Sequence, residues 1–238
     1  MISQDRAAMP LMDHLRELRR RLIYIVAALV VGMVLSLPAT IRVMRGLQDV
    51  CPLCQLQAIH PTETIVTYFR VSLVLGMVFA MPVILYHAVA FVSPGLLPAE
   101  RRLLYLMLPG AAVLFALGLA FGYFLAVPRA VAFLSQFLGD VAAAQWTLSN
   151  YVAFVMNLLL IIGLTFETPL VVFVLAKLNI VTPAFLGHYR RHAIVIMAVV
   201  AAVLTPTPDP YTMLLVLAPM IVLFELGVLL ARIAKAGR

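Results

Sequence analysis

Ten acidic residues stand among 238, few enough to weigh each for chemistry. Glu167, in IIGLTFETPLVV, interrupts an apolar run, where an ionised carboxylate costs at least about 2.5 kcal/mol on insertion scales. Pro169, two residues on, frees a carbonyl in the preceding turn, and Thr165 adds a hydroxyl, so a kinked and locally polar site is expected. Glu167 then either stays neutral, bonded to a neighbouring helix, or opens on a hydrated pocket that takes a ligand or protons. Glu17, in MDHLRELRRRL, lies off the stripe formed by Leu11, Leu15, Leu18 and Leu22. It can pair with Arg21 one turn on, or stand as a fixed carboxylate at the membrane surface that accepts a guanidinium fork from a partner. Glu100, in FVSPGLLPAERRLL, follows a stiff turn built on Pro94, Gly95 and Pro98. It either decorates a helix start or adds a second carboxylate on the same membrane face as Glu17.

The remaining candidates carry less. Glu225 lies two turns before Arg232, a spacing suited to a structural pair or to snorkelling. His87, His188 and His192 are scattered without a second ligand at metal spacing, so no metal is expected. Cys51 and Cys54, in VCPLCQ, would form a small disulfide in an oxidising compartment and remain thiols otherwise; a catalytic redox pair would need a helix N-terminus in a thioredoxin-like setting. HExxH, GxSxG, P-loop and GxGxxG patterns are missing. Ser93 near His87 lacks an orienting acid for a triad. The chain reads as a non-enzyme without a cofactor.

These groups must be held by helices in a bilayer. The composition is 64% hydrophobic and 11% charged, with mean hydropathy +1.08, too little polar surface to coat a water-soluble globule. Runs of roughly 20 apolar residues span a bilayer core, and six are expected, about 22–41, 71–91, 103–127, 151–176, 193–204 and 211–231, in a single all-α transmembrane domain. The fifth is short. The segment MISQDRAAMPLMDHLRELRRRL lacks the pattern of a cleaved signal, so the first run is expected to be retained. Thirteen of the 17 basic residues fall on the side of the termini, which the positive-inside rule assigns to the cytoplasm. The net charge of +7 follows from that bias and from anionic headgroups and needs no nucleic acid. Two outer loops, roughly 42–67 and 128–150, are long enough to form caps, with AVAFLSQFL lying along the interface.

Four separated segments carry a family resemblance: HLRELRRRL, FVSPGLLPAERR, FETP and LTPTPD, supported by MPVILYHAVAF, FGYFLAVPRAVAFL and APMIVLFELGV. Taken in order along nearly the whole chain, they are similar to TatC, the large membrane subunit of the twin-arginine protein translocase. The resemblance implies a glove-shaped receptor of six helices with a concave face, short fifth and sixth helices and both termini cytoplasmic, in the cell's inner membrane. Its ligands would be signal peptides with two consecutive arginines on folded cargo. Its partners would be single-span TatA and TatB type subunits, other copies of itself and membrane lipids, with the proton gradient as driving force. Glu17 and Glu100 match the acids that hold the arginine pair; Arg19, Phe91 and Pro94 match the same cytoplasmic site. Glu167, with Thr165 and Pro169, matches a hydrated intramembrane acid on the concave face. Asp209 matches an outer acid after the fifth helix, while Pro52, Leu53 and Glu63 sit where outer-loop motifs are expected. His87 and Val89 replace the more usual glutamine and tryptophan, and the Cys51, Cys54 pair is not a hallmark. A proton-coupled small-solute transporter with Glu167 as carrier is the rival reading, weakened by the lack of a repeat or a second central ionisable partner.

Overall fold

The structure is a computed structural model that describes residues 11–51, 56–95, 98–137, 145–178, 180–205 and 209–236. Among the described residues every regular element is helical. Helix α1 spans Leu11–Asp49 without a break. At about 1.5 Å per residue it is about 58 Å long, nearly twice the roughly 30 Å apolar core of a bilayer. The Leu11 to Leu22 stretch, with its leucine stripe, is the first part of this same rod. Helix α2, Glu63–Val92, ends in a 3-10 turn at Ser93–Gly95.

Helix α3, Pro98–Phe121, passes through a π turn at Gly122–Ala126 into α4, Val127–Gln136. The expected outer loop from Pro128 therefore begins later, and most of AVAFLSQFL continues the third helix. Pro128 is accommodated because it falls in the first turn of α4. The wide turn just upstream has already shifted the hydrogen-bond ladder that its missing N–H would interrupt.

Helix α5, Leu148–Thr165, is capped by the Thr147 hydroxyl, which accepts from the Asn150 N–H at 3.2 Å. It breaks at Phe166 and Glu167 and resumes as α6, Thr168–Lys177, with Pro169 in its first turn. The kink read from Pro169 is a two-residue break. Short α7, Pro183–His188, leads to α8, Arg190–Leu204, and then to α9, Pro210–Ala236. Asp209 caps α9, its Oδ1 accepting from the Thr212 N–H at 2.6 Å.

Among the described residues, five helical stretches are long and apolar enough to cross a membrane: Met12–Asp49, Glu63–Val92, Arg101–Gln136, Leu148–Lys177 and Pro210–Arg232. The chain is a multi-pass membrane protein. Helix α8, with 15 residues, is only about 22 Å long.

Small residues set the packing. Gly32 on α1 faces Gly76 on α2 so closely that a Cβ on either would strike the other helix's backbone. Further along the same face, the Ser36 hydroxyl donates to the Ser72 carbonyl at 2.7 Å, and Thr40 Oγ1 lies 2.8 Å from Ser72 Oγ. All three side chains are buried. In lipid there is no hydrophobic drive between helices, so close approach and interhelical hydrogen bonds hold such pairs. Gly118, Gly122 and Gly163 do the same where α3 meets α5, and Gly227 lets α9 lie on Pro169 and Val172. The largest buried cluster gathers Leu47, Val71, Val127, Tyr151, Val155 and Val216; a second, around Leu85, Leu104, Phe115 and Phe173, joins α2, α3 and α6.

Candidate functional site

At the end of the bundle where α1 begins, Glu17 and Arg21 form an ion pair one turn apart, their side chains 30% and 19% exposed. His14 stacks on Phe91 of α2 with ring centres 4.4 Å apart, and Tyr24 stacks on His87 at 5.3 Å. These ring contacts fix the rotation of α1 against α2 and place Glu17 beside the end of α2. Arg20 lies over the Tyr24 ring at 5.9 Å, and Arg19 is exposed. The 3-10 turn follows, with the Ser93 hydroxyl donating to the Ala90 carbonyl at 3.0 Å and Pro94 exposed.

The turn and the start of α3 enclose a cleft of about 460 Å³ lined by Ser93, Pro94, Pro98, Arg101, Arg102 and Tyr105. Arg101 reaches over the Tyr105 ring at 5.8 Å. Glu100 falls in the first turn of α3, and its side chain lies outside the described residues. The backbone therefore brings together Glu17, Arg19, Phe91, Pro94 and the Glu100 position at one end. Two buried polar atoms there, Arg21 Nε and His87 Nδ1, have no hydrogen-bond partner among the described residues. Chemically, this end offers carboxylates, aromatic faces and unspent hydrogen-bonding capacity in a cationic surround.

Glu167 is elsewhere, at the α5–α6 break. It is 5% exposed, and neither carboxylate oxygen has a hydrogen-bond partner among the described residues. Thr165, the nearby hydroxyl, donates instead to the Ile161 carbonyl at 2.7 Å, and Thr168 donates to the Thr165 carbonyl at 2.6 Å. Both hydroxyls thus serve helix ends and leave the acid unbonded. Pro169 is buried against α9.

At the opposite end, Glu63 is 8% exposed. One oxygen accepts from the N–H groups of Ile59 at 2.8 Å and His60 at 3.4 Å, and the other from the N–H of Ser149 at 2.7 Å. It closes the turn before α2 and ties it to the first turn of α5, where free N–H groups and the helix dipole favour an anion. A parallel bridge between Gln57 and Thr147 and a 3.0 Å bond from Trp146 Nε1 to Ser135 Oγ complete this cap. Pro52, Leu53 and Cys54 lie outside the described residues; Cys51 is disulfide-bonded. Asp209 serves as a helix cap, as described above.

Several features escaped the sequence reading. The Tyr151 and Tyr123 hydroxyls donate to the Leu47 and Gly46 carbonyls at 2.7 and 3.0 Å, in the last turn of α1, where carbonyls run short of helical partners. Small residues at intervals of four (Gly32, Ser36, Thr40; Ser72, Gly76, Ala80; Gly118, Gly122) were the signal for the helix crossings. Glu225 pairs with Arg190 of α8 at 2.8 Å rather than with Arg232, because α8 packs antiparallel on α9 and brings its cationic first turn alongside.

Known proteins share this arrangement. The family model described as Sec-independent protein translocase protein (TatC) matches residues 13–219. The Sec-independent protein translocase protein TatC of Carboxydothermus hydrogenoformans is 38% identical over 95% of this chain and 94% of its own length. That of Aquifex aeolicus is 34% identical over 95% and 96%. A crystal structure of the twin arginine translocase receptor TatC superposes with a TM-score of 0.80 at 33% identity, covering 93% of this chain and 99% of the other. On the family match, on identity over nearly the full length and on the shared fold, the chain belongs to the TatC family of Sec-independent protein translocase proteins.

Proposed function

We propose that this chain is the receptor and core subunit of a twin-arginine translocase, binding signal peptides of folded cargo at the end where α1 begins. The observation that carries this reading is the placement of Glu17. The His14–Phe91 stack holds α1 against the end of α2, so a partly exposed carboxylate stands beside the short turn that leads to Glu100. Two carboxylates held this way take two guanidinium forks, and bidentate geometry favours arginine over lysine. Phe91 and Pro94 border the peptide, and Arg19 lines its entry. Arg21 occupies Glu17 in the free receptor and yields it to the incoming peptide.

In this reading α8 is the short fifth of six crossings, both termini face the cytoplasm, and the membrane is the cell's inner membrane. The basic bias of the Glu17 end supports that orientation. Single-span TatA and TatB type subunits and other copies of the chain complete the complex, and the proton gradient supplies the work, at about 2.3 kcal/mol per charge per 100 mV.

The test is co-purification of the detergent-solubilised chain with a twin-arginine peptide and with its twin-lysine counterpart. Retention of the first alone, lost on Glu17→Arg or Glu100→Arg while the variants still insert, is expected. Equal retention of both peptides, or unchanged crosslinking in the variants, would refute the reading.

A further inference from the structure

A groove of about 480 Å³ opens at the far end of the molecule, between the last turns of α1 and the first turns of α2. Its volume falls within the roughly 300–1,000 Å³ of small-molecule sites. Ile41 and Met44 form one wall, Ile65 and the ring of Tyr68 the other, and Leu148 of α5 the floor. The Tyr68 hydroxyl is engaged, donating to the Leu37 carbonyl at 2.9 Å, so Tyr68 presents its ring to the groove. Arg45 and Gln48 stand at the rim. Arg45 is exposed, and no ion pair holds it among the described residues.

We infer that this groove binds one anionic phospholipid, with an acyl chain along Ile41, Ile65 and Tyr68 and the phosphate on Arg45 and Gln48. Position supports this. Ile41 ends the apolar run of α1, and Arg45 follows one turn on, about 6 Å further along the axis, which is the step from hydrocarbon to headgroup. Charge supports it as well, because a single unpaired guanidinium above an almost wholly apolar wall complements a molecule that is anionic at one end and apolar along the rest.

The lining argues against a docked helix. Close helix contacts in lipid use small residues; the small-residue stripe Gly32, Ser36 and Thr40 of α1 is already engaged by α2, whereas the groove is walled by bulky side chains. A free phosphate would leave the apolar walls unmatched. The groove is also preformed, since Tyr123 and Tyr151 hold the end of α1 and Glu63 holds the start of α2.

The experiment uses the full chain in vesicles of phosphatidylcholine containing a photoactivatable phosphatidylglycerol, or a photoactivatable phosphatidylcholine of the same chain length, with crosslinks mapped by mass spectrometry. Phosphatidylglycerol should label the segments flanking Ile41 and Ile65 in preference to phosphatidylcholine. Arg45→Glu should weaken that labelling at least about fivefold, the factor expected for one basic side chain near the headgroups. Arg129→Glu, which changes the same charge at an exposed position of α4, should leave it intact. Ile65→Trp, which fills the groove, should remove labelling by either lipid. Equal labelling by the two lipids, indifference to Arg45→Glu, or crosslinks to a second copy of the chain in place of lipid would overturn the assignment.

Discussion

The backbone N–H of Ser149 donates to Glu63 Oε1 at 2.7 Å across 86 residues of sequence, while Glu63 Oε2 accepts from the turn that leads into α2. One carboxylate therefore locks two helix starts together. Glu63→Ala leaves three backbone donors without it, two of them at bonds shorter than 3 Å, and is expected to lower the thermal midpoint in detergent by several degrees. Glu63→Gln keeps an acceptor but loses the charge assistance and should fall between. Trp146, the only tryptophan, is part of the same cap, so its emission follows the transition; coincident melting curves for the three proteins would rule the brace out.

Glycines at the α1–α2 crossing and elsewhere should respond oppositely to alanine. A Cβ at Gly76 would lie 2.5 Å from the Met33 nitrogen and 2.7 Å from its Cα, backbone atoms that cannot swing aside. Gly76→Ala should cost about 1–3 kcal/mol by overpacking and separate the two helices. A Cβ at Gly110 meets nothing within 4 Å, so Gly110→Ala should be neutral or stabilising by about 0.5 kcal/mol. Chemical denaturation in a defined micelle compares them; equal effects would contradict the close-approach argument.

Arg21 competes with the incoming peptide for Glu17 if the proposed site is right. Arg21→Gln removes an i,i+4 pair worth about 0.3–0.5 kcal/mol, so twin-arginine peptide affinity should rise roughly twofold. Titration calorimetry at low salt reads this directly, and a weaker affinity in the variant would show that Arg21 assists binding instead.

Glu167 is expected to separate stability from activity. Its two buried oxygens lack partners among the described residues, and an unsatisfied buried polar group costs about 1–3 kcal/mol. Glu167→Leu should therefore raise thermal stability by a comparable amount while reducing export of a twin-arginine reporter. Loss of both together would mean that the carboxylate holds the α5–α6 break in shape.

Local signals carried much of the fold. The apolar runs located the long helices, Pro169 marked the break at Glu167, and the Glu17–Arg21 spacing foretold their pair. What stayed hidden depends on partners far apart in sequence. Neither Tyr151 nor Leu47 advertises that a hydroxyl on one will cap a carbonyl of the other, and Glu225 has a plausible partner in Arg232 until α8 brings Arg190 nearer. The π turn hid differently. Pro128 is a strong reason to end a helix, and only the shifted ladder upstream lets that helix go on to Gln136. For the proposed binding end, the family resemblance singled out Glu17, Phe91 and Pro94; the His14–Phe91 stack that sets their relative position required three dimensions.

Helix α1 is gripped unevenly. From Gly32 outward, backbone contact and buried hydroxyl bonds clamp it to α2, and tyrosine hydroxyls pin its tip. Inward of Gly32, the polar ties are absent among the described residues, and ring faces, His14 on Phe91 and Tyr24 on His87, do the holding. Helix α1 is thus anchored like a cantilever, fixed beyond its midpoint, with Glu17 on the arm that ring contacts alone seat. Loss of those rings would therefore free the rotation of that arm while the clamp, and everything built upon it, keeps its shape.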